Sequence, residues 1–470
     1  MRHVAATAEH AMQHWTYLGH AMWLVEAGPL RLLCDPLLGA THHADVFELV
    51  PRREIVTGRL RPDLVLVSHR HGDHFDVPSL HALARADADS VVITPDPLVA
   101  WAARALGFHD VREVAPGTLL AFDDVALVTT PSVAPDEWGV MVGTGGTTGW
   151  NLVDTVLRGP QDVVHVRDEA LRALGCDTVG LACVRWQPML EIAAQLGEST
   201  AFPYRGYERV LRDIAAIDAR AILPAAAGGS HREPYGWLDR VVFPLSEARA
   251  RDDLSIACPG ATILPGAVGS RIAVGRGGVE AVTHDAVLVQ LRSRDDPRRF
   301  DPFSVPPLRD PQLPGADAST MRATVSRWLH EQLADALAAA WPSWRSHRAL
   351  QLVVEVVWPS GADAVTFTVD GSGATVRAGG CDEWDGKNQV AGSMLWQVIE
   401  GRRGWGDVLL AGALRARSRA YRAQPGGGVA ALAVGETFLY YALPYELSHE
   451  RATRWEVEQV LAAADVARDQ

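Results

Sequence analysis

Hydrophobic residues in the first half of the chain fall in short runs that are separated by polar and glycine-containing turns. Such runs are typical of buried strands. They predict strands at Trp23–Ala27, Leu30–Asp35, Leu64–Ser68, Ser90–Thr94, Val125–Thr129, Gly139–Val142, Gly149–Val153, Asp177–Ala182 and Ala221–Pro224. Helical patterns lie at Ser79–Ala86, Pro97–Leu106 and Tyr207–Ile217, with a short helical turn at Leu171–Leu174. Strands that alternate with helices of this length predict a layered α/β domain over residues 12–290.

The second half of the chain has a different pattern. Residues 291–318 are rich in Pro, Asp and Arg and show little periodicity, which predicts a linker or a segment that wraps the surface. A long helix follows at Ser319–Ala340. The remaining pattern predicts strands at Leu350–Val357, Ala364–Val369 and Gly373–Ala378, and helices at Gln389–Glu400, Gly406–Leu414 and Trp455–Ala467. We therefore expect a smaller α+β domain over residues 319–470.

Composition and charge narrow the classes of function. The 470 residues are 48% hydrophobic and 21% charged, which is ordinary for a globular protein. No apolar stretch approaches the roughly 20 residues that a membrane span needs, and the N-terminus lacks the apolar block of a secretory signal. A net charge of −13 argues against nucleic acid as a partner. We predict a cytoplasmic protein that acts on a small molecule.

Histidine is concentrated early in the chain, because 13 of the 17 histidines precede residue 240. The densest group is Ser68-His69-Arg70-His71-Gly72-Asp73-His74, which directly follows a predicted strand. In extended chain, His69 and His71 share a face, and Gly72 permits a turn that brings Asp73 and His74 to a neighbouring point. These nitrogen and oxygen ligands predict a site for one or two divalent ions, with zinc, iron or manganese favoured.

These residues resemble the HxHxDH signature of the metallo-β-lactamase superfamily, which stands here as His69, His71, Asp73 and His74. Upstream, Gly19-His20-Ala21 and Asp35-Pro36 are similar to the branch that contains N-acylphosphatidylethanolamine phospholipase D. The resemblance implies a four-layer αββα sandwich. It also implies that His20 and Asp35 support the metal site, with Asp73 and His20 as the catalytic pair.

The resemblance implies three further ligands downstream: a histidine, a bridging aspartate and a last histidine. His231 fits the last position, since it follows the apolar strand Ala221–Pro224 through a glycine turn. For the bridge we favour Asp154, in a segment similar to the NxxD segment of CMP-N-acetylneuraminate hydroxylase and its bacterial relatives. Asp168, which resembles the pattern of other branches, is the alternative.

The middle histidine of the family is absent from this chain. After the strand that ends near Thr130, the sequence reads Pro131-Ser132-Val133-Ala134-Pro135-Asp136-Glu137-Trp138. Asp136 or Glu137 could replace the imidazole with a carboxylate, which would favour iron or manganese over zinc. Otherwise one metal position is weakly occupied or empty.

The C-terminal third carries a more diffuse resemblance. Segments around Trp384, Trp396 and Trp405 are similar to a sterol-carrier-protein type fold or to the C-terminal portion of the hydroxylase relatives. These tryptophans predict either an apolar pocket or ordinary core packing. The hydroxylase family also has a Rieske domain, but the five cysteines here show no CxH…CxxH spacing, so we expect no Rieske cluster in this chain.

Three functions are compatible with these features. The first is a hydrolase in which a metal-activated water attacks an ester, amide or phosphodiester. The second is a dimetal iron oxygenase that receives electrons from a separate protein. The third is a non-enzymatic scaffold with a degraded site. Four residues near the predicted ligands are candidates for the substrate pocket: Trp138, Trp150, Trp186 and Arg185.

Overall fold

The computed structural model describes residues 12–188, 191–197, 199–239, 244–292, 304–435 and 437–468. Its strands, in chain order, are β1 Gln13–Gly19, β2 Met22–Ala27, β3 Leu30–Cys34, β4 Thr41–His42, β5 Phe47–Leu49, β6 Arg53–Ile55, β7 Leu64–Leu66, β8 Val91–Thr94, β9 Val111–Glu113, β10 Leu119–Phe122, β11 Val125–Pro131, β12 Trp138–Thr144, β13 Thr147–Asn151, β14 Leu181–Val184, β15 Ala221–Pro224, β16 Gly229–His231, β17 Thr262–Ile263, β18 Ser270–Gly275, β19 Gly278–His284, β20 Val289–Leu291, β21 Leu350–Trp358, β22 Gly361–Asp370, β23 Gly373–Ala378, β24 Gly386–Ala391, β25 Leu414–Ser418, β26 Tyr421–Ala423 and β27 Val429–Ala431.

The α-helices are α1 Val77–Ala86, α2 Pro97–Leu106, α3 Pro160–Leu174, α4 Glu191–Leu196, α5 Tyr204–Ile217, α6 Glu247–Ala257, α7 Ala318–Trp328, α8 Ala334–Trp344, α9 Gly392–Ile399, α10 Trp405–Leu410 and α11 Tyr445–Arg468. Single turns of 3₁₀-helix lie at Thr57–Arg59, Gly236–Leu238 and Phe438–Tyr441, and a π-helical turn at Leu329–Leu333 joins α7 to α8. In the part of the chain that the structure describes, no helix is both long and apolar enough to cross a membrane.

Two large sheets form the N-terminal region. The first has the order β19-β18-β1-β2-β3-β7-β8-β9, and the second has the order β10-β11-β12-β13-β14-β15-β17. Apolar side chains from both sheets share one buried cluster, so the sheets pack face to face. The approach is close at Gly149 of β13, where a Cβ atom would lie 2.3 Å from the Trp15 ring of β1. A glycine is therefore required there.

Helices cover the outer faces of both sheets. Leu80 of α1 and Val99 of α2 join the buried cluster of the first sheet. Val163 of α3 and Ile214 of α5 pack with Trp150 on the outer face of the second sheet. The result is the four-layer αββα sandwich that the resemblance predicted, followed by a C-terminal α+β region.

The C-terminal region contains a separate five-stranded sheet in the order β23-β22-β21-β24-β25. Its apolar face packs with α7, α8 and α9 in a second buried cluster, which includes Trp396 and Trp405. These two tryptophans are core residues. The boundaries predicted for the domains stay predictions, and residues 293–303 of the expected linker lie outside the described part. Beyond them, Asp310 accepts hydrogen bonds from Ser393 of α9, so this segment follows the surface of the C-terminal region.

Several predicted elements differ from the structure. The short turn at Leu171–Leu174 is the end of the fifteen-residue helix α3, whose buried positions Val163, Val166 and Ala170 follow a helical period. The helix predicted from Gln389 begins with strand β24, because Gly386–Ala391 pairs in parallel with β21. The segment predicted as one helix at Gly406–Leu414 ends early and leads into β25. Apolar runs without a clear period were the source of these errors.

Candidate metal centre

The histidine-rich segment lies where two parallel strands end. Strands β3 and β7 pair in parallel, with Cys34 opposite Leu66, so the residues that follow them emerge at the same edge of the sheet. Asp35 follows β3, and residues 68–74 follow β7. A turn closed by hydrogen bonds from His74 N and Phe75 N to His71 O then folds the second half of the segment back.

Asp35 organises this edge. Its Oδ1 accepts a hydrogen bond from Ser68 N at 2.8 Å, and its Oδ2 accepts from Ser68 Oγ at 3.0 Å and from His74 Nδ1 at 3.1 Å. Because Ser68 Oγ donates to Asp35, it accepts from His69 Nδ1 at 2.9 Å. Both imidazoles therefore keep Nε2 for another partner, which is how a carboxylate behind a histidine prepares it for metal binding.

The Nε2 atoms of His69 and His74 lie in one group with two carboxylates. His74 Nε2 lies 3.2 Å from Asp154 Oδ2 and 3.5 Å from Asp73 Oδ2, and His69 Nε2 lies 2.8 Å from His71 Nδ1. One ligand atom from each of His69, His74 and Asp154 lies within 4.8 Å of the other two. Spacings of this size suit ligands that share an ion at about 2.0–2.2 Å. The donor set therefore fits a divalent metal.

His20 supports Asp73 rather than adding a nitrogen to the donor set. Its Nδ1 accepts a hydrogen bond from Gly228 N at 3.1 Å, so the neutral ring carries its proton on Nε2 and donates it to Asp73 Oδ2 at 3.1 Å. His20 has a φ of 53°, and a Cβ on Gly228 would lie 2.7 Å from His20 N. Only a glycine at 228 permits this contact. His20, Asp73 and His74 form a second close group of ligand atoms, but the tautomer of His20 favours a supporting role.

The charges of the cluster are mutually stabilising. Burial would raise the pKa of Asp73, but the charge of His74 and hydrogen bonds from His20 and His43 hold it well below its usual range. Burial likewise would lower the pKa of His74, yet the carboxylates of Asp73 and Asp154 hold it well above its usual range. Burial lowers the pKa of His69 strongly, and the charges of His74 and His71 lower it further. The centre thus holds ionised acids and a neutral His69, as metal binding requires, whereas His74 carries a proton that a bound ion would displace.

The two acids proposed to replace the missing histidine have different surroundings. Asp136 pairs with Arg70 at 3.4 Å, and its side chain is 41% exposed, so it faces away from the cluster. Glu137 is 8% exposed, and its Oε1 accepts a hydrogen bond from Ser132 Oγ at 2.9 Å. Burial raises the pKa of Glu137, and the nearby charge of Asp154 raises it further. Of the two acids, Glu137 is therefore the buried one, and its pKa responds to the charges of Asp154 and His74.

Two other predicted ligands lie elsewhere. Asp168 is on α3 and pairs with Arg167, whereas Asp154 reaches the cluster from the turn after β13. The ring nitrogens of His231 are both engaged, with Nδ1 2.6 Å from Asp239 Oδ1 and Nε2 3.1 Å from the carbonyl oxygen of Leu410. Among the described residues, no close group of ligand atoms includes His231. The structure does not bring His231 to the other ligands, because α10 of the C-terminal region occupies its Nε2.

The predicted aromatic pocket is also not assembled. Trp138 and Trp150 are fully buried and donate to Val114 O and Thr130 Oγ1. Trp186 lines a separate cavity of about 420 Å³, and Arg185 lines a small one of about 40 Å³. Packing against the sheets decides the positions of these side chains, which proximity in sequence could not show.

Three residues near the centre were missed. His43 Nε2 lies 3.3 Å from Asp73 Oδ1, and its Nδ1 lies 3.3 Å from Asp407 Oδ1. The pKa of His43 is raised to about 9, because these two carboxylates outweigh burial. Both ring nitrogens of His42 are buried and have no hydrogen-bond partner within the described part of the chain. The early excess of histidine could have indicated His42 and His43, but no sequence signal indicated Asp407.

The role expected of Gly72 needs a correction. The turn that folds back Asp73 and His74 is present, but the φ of Gly72 is not in the left-handed region. A Cβ at this position would lie 3.0 Å from His43 Nδ1 and 3.2 Å from its Cε1. Space for the His43 ring, rather than backbone freedom, is the reason for glycine here.

Comparison with known proteins agrees with this geometry. Residues 14–165 match the family described as Beta-lactamase superfamily domain. A UPF0173 metal-dependent hydrolase of Pelotomaculum thermopropionicum is 33% identical over 164 residues, which are 32% of this chain and 65% of that protein. A candidate Rieske 2Fe-2S iron-sulfur protein of Mycobacterium tuberculosis is 30% identical over 152 residues, or 30% of this chain and 29% of that protein.

A third relative matches a shorter segment. The cytidine monophosphate-N-acetylneuraminic acid hydroxylase of Danio rerio is 33% identical over 76 residues, which are 16% of this chain and 13% of that protein. The chain spans only 29% to 44% of the length of its mycobacterial relatives. The matched segment contains the HxHxDH residues and Asp154. Residues 14–165 therefore match a Beta-lactamase superfamily domain, which supports the resemblance that their signature indicated.

Proposed function

We propose that the protein is a metal-dependent hydrolase that acts on a small molecule through water activated at a mono- or dinuclear site. One observation carries the proposal: His69, His74 and Asp154 converge within 4.8 Å beside Asp73, while Asp35 holds the histidine that lies between the two acids. The Nε2 atoms of His69 and His74 form one close group with the carboxylate of Asp154. A divalent ion would bind such a set of nitrogen and oxygen atoms in place of their direct hydrogen bonds.

The residues of the chain have distinct roles in this proposal. Five residues would hold zinc, iron or manganese: His69, His71, Asp73, His74 and Asp154. A bound divalent ion would supply a water molecule whose pKa is lowered to near neutrality. Asp73 orients the attacking water through a carboxylate oxygen, and His20 Nε2 keeps that carboxylate ionised and in place. His20 is thus a positioning residue, because its Nδ1 is occupied by Gly228 N.

We propose that the substrate enters through the cavity between the two regions of the chain. The cavity has a volume of about 690 Å³, within the range of small-molecule sites, and Gly72 and His43 are part of its wall. Arg402 and Arg403 also line the cavity. Esters, amides and phosphodiesters all remain candidate substrates, and a cytoplasmic location stays a prediction from the sequence.

Metal analysis of protein purified without added metal tests the proposal. We expect stoichiometric divalent metal, with zinc supporting hydrolysis, together with turnover of a generic ester or phosphodiester. His71→Ala should lower metal content sharply, whereas His81→Ala, on α1, should leave it unchanged. A chain that binds no metal after reconstitution would contradict the proposal and leave the scaffold hypothesis. Equal losses in the two variants would contradict the ligand assignment.

A dimetal iron oxygenase that depends on a separate electron donor is the second candidate. Glu137 favours it, because this buried carboxylate near Asp154 and His74 lies in the segment where the resemblance implies a histidine. Carboxylate-rich sites favour iron or manganese, and iron in such a site activates dioxygen. The short likeness to a hydroxylase supports the same reading. Two irons per chain with visible absorption would favour this candidate, and Glu137→Ala should then lower iron content while Asp136→Ala should not.

A further inference from the structure

His43 connects the metal cluster to the C-terminal region. Its Nε2 faces Asp73 Oδ1 and its Nδ1 faces Asp407 Oδ1 of α10, each at 3.3 Å. Carboxylates only accept hydrogen bonds, so both ring nitrogens donate. The other oxygen of Asp73 accepts from His20 Nε2. Both oxygens of Asp73 are therefore oriented from outside the HxHxDH segment.

The backbone at His43 is strained. His43, Ala44 and Asp45 have φ values of 50°, 49° and 68°, and such a run of left-handed residues other than glycine is unfavourable. Arg403, which lies between α9 and α10, donates from Nη2 to Ala44 O at 2.8 Å. Gly72 leaves room for the His43 ring. Contacts from the C-terminal region thus hold both the ring and the strained turn in place.

We infer that His43 is a positioning residue that orients Asp73 for metal binding, and that Asp407 makes the C-terminal region a structural part of the metal centre. The inference rests on the proposed function, since it requires Asp73 to be a metal ligand. Its physical basis is the continuous contact Asp407–His43–Asp73, whose His43 ring is 8% exposed. A partly exposed carboxylate that lacked this contact could rotate away from the ion.

Cobalt(II) affinity of the full-length protein, measured by competition with a chelator and by visible absorption, tests the inference. Outer contacts of metal ligands typically change affinity by about 10–100-fold, so we expect a loss in that range for His43→Ala. His43→Gln, which retains a donor, should recover part of the affinity. Asp407→Ala should lower affinity by about 3–10-fold and alter the cobalt spectrum, whereas Asp407→Asn, which retains an acceptor, should do so less.

Glu446→Ala is the matched control, because Glu446 also joins the two regions, through Arg70 Nη1 at 2.6 Å, without touching His43. It should leave cobalt affinity and spectrum unchanged. The double variant His43→Ala/Asp407→Ala should bind no more weakly than His43→Ala alone. Losses that multiply in the double variant, or a Glu446→Ala loss equal to that of Asp407→Ala, would overturn the inference.

The failure of this inference is distinguishable from failure of the proposed function. A wild-type chain that binds no cobalt would overturn both. A wild-type chain that binds cobalt with the same affinity and spectrum as His43→Ala and Asp407→Ala would overturn the role of His43 alone. Circular dichroism of each variant identifies misfolding. If His43→Ala does not fold, the comparison of Asp407→Ala with Asp407→Asn still tests the inference.

Discussion

The two acid–histidine contacts of the HxHxDH segment are supported by different parts of the molecule. His74 and its partner Asp35 have side-chain exposures of 0% and 1%, and Asp35 comes from the neighbouring parallel strand of the same sheet. Asp73 is 22% exposed, and it is held by His20 on one side and by His43 and Asp407 on the other. The first support lies within one domain, whereas the second crosses to the C-terminal region.

This difference has a consequence for how the centre responds to change. The contact of His74 with Asp35 depends on strand pairing and on close packing. We expect it to persist as long as the N-terminal sandwich is folded. The Asp73 side depends in addition on His43 and on Asp407, which comes from the C-terminal region. We therefore expect metal affinity to be most sensitive to the ligands, then to Asp35, and least to residues that only join the two regions.

The largest effect is expected at the bridging acid. Asp154→Ala should lower metal affinity by at least about 100-fold, because it removes a ligand rather than an outer contact. Asp168→Ala, an exposed acid on α3, should leave affinity unchanged. Metal content and chelator competition check the pair. Equal losses would mean that the bridge has been assigned to the wrong residue.

Asp35→Ala tests the support within the N-terminal domain. We expect metal affinity to fall by about 10–100-fold, since His74 loses the carboxylate that orients it. Asp63→Ala is a suitable control, because Asp63 precedes the same strand β7 at its opposite end, where it accepts from Arg31 N. If the Asp35→Ala protein folds and binds metal normally, then Asp35 does not support the metal centre through His74.

Glu456→Gln tests the electrostatics of the cavity between the regions. Glu456 lines this cavity, and burial raises its pKa to about 8, with added repulsion from Asp76 and Asp407. The folded state keeps a proton that the unfolded state releases above about pH 4.5. Stability should therefore fall as pH rises from 4.5 to 8, and level off above that.

Because Glu456 is only partly buried, we expect Glu456→Gln to stabilise the protein by about 2 kcal/mol at pH 8.5, and by nothing near pH 4.5. Urea unfolding at several pH values measures this difference. Glu458→Gln, at an exposed position of the same helix, is the control. A constant difference between Glu456→Gln and wild type at all pH values would contradict the assigned pKa.

The smallest effect is expected at His231. Because Asp239 and Leu410 already engage its ring, His231→Ala should change metal affinity by less than about threefold, which is below 1 kcal/mol. Chelator competition measures the metal affinity of this variant and of His74→Ala. Because His74→Ala should lose most of the affinity, it provides the reference for a large effect. A loss at His231 as large as that at His74 would restore the ligand assignment predicted from the sequence.

Much of the fold followed from local pattern. The apolar runs Leu30–Asp35 and Leu64–Ser68 predicted strands, which lie at Leu30–Cys34 and Leu64–Leu66, and α2 has the predicted bounds Pro97–Leu106. Predictions failed where a helix and a strand share one apolar run, as at β24 and α9, since only pairing with β21 distinguishes them. Of the site residues, Asp35 and Asp154 contact His74, whereas Trp138, Trp150 and His231 have partners that come from distant segments.

The sequence by itself determined that the HxHxDH side chains lie together, because consecutive residues at a strand end cannot lie far apart. It also determined the edge at which they meet, through the strand pattern around them. Only the tertiary structure decided which distant side chains hold those donors. Asp407 reaches His43 across more than three hundred residues of chain, and Leu410 engages His231 across nearly two hundred. Such contacts depend on how the C-terminal region packs against the N-terminal one, and no local periodicity encodes that.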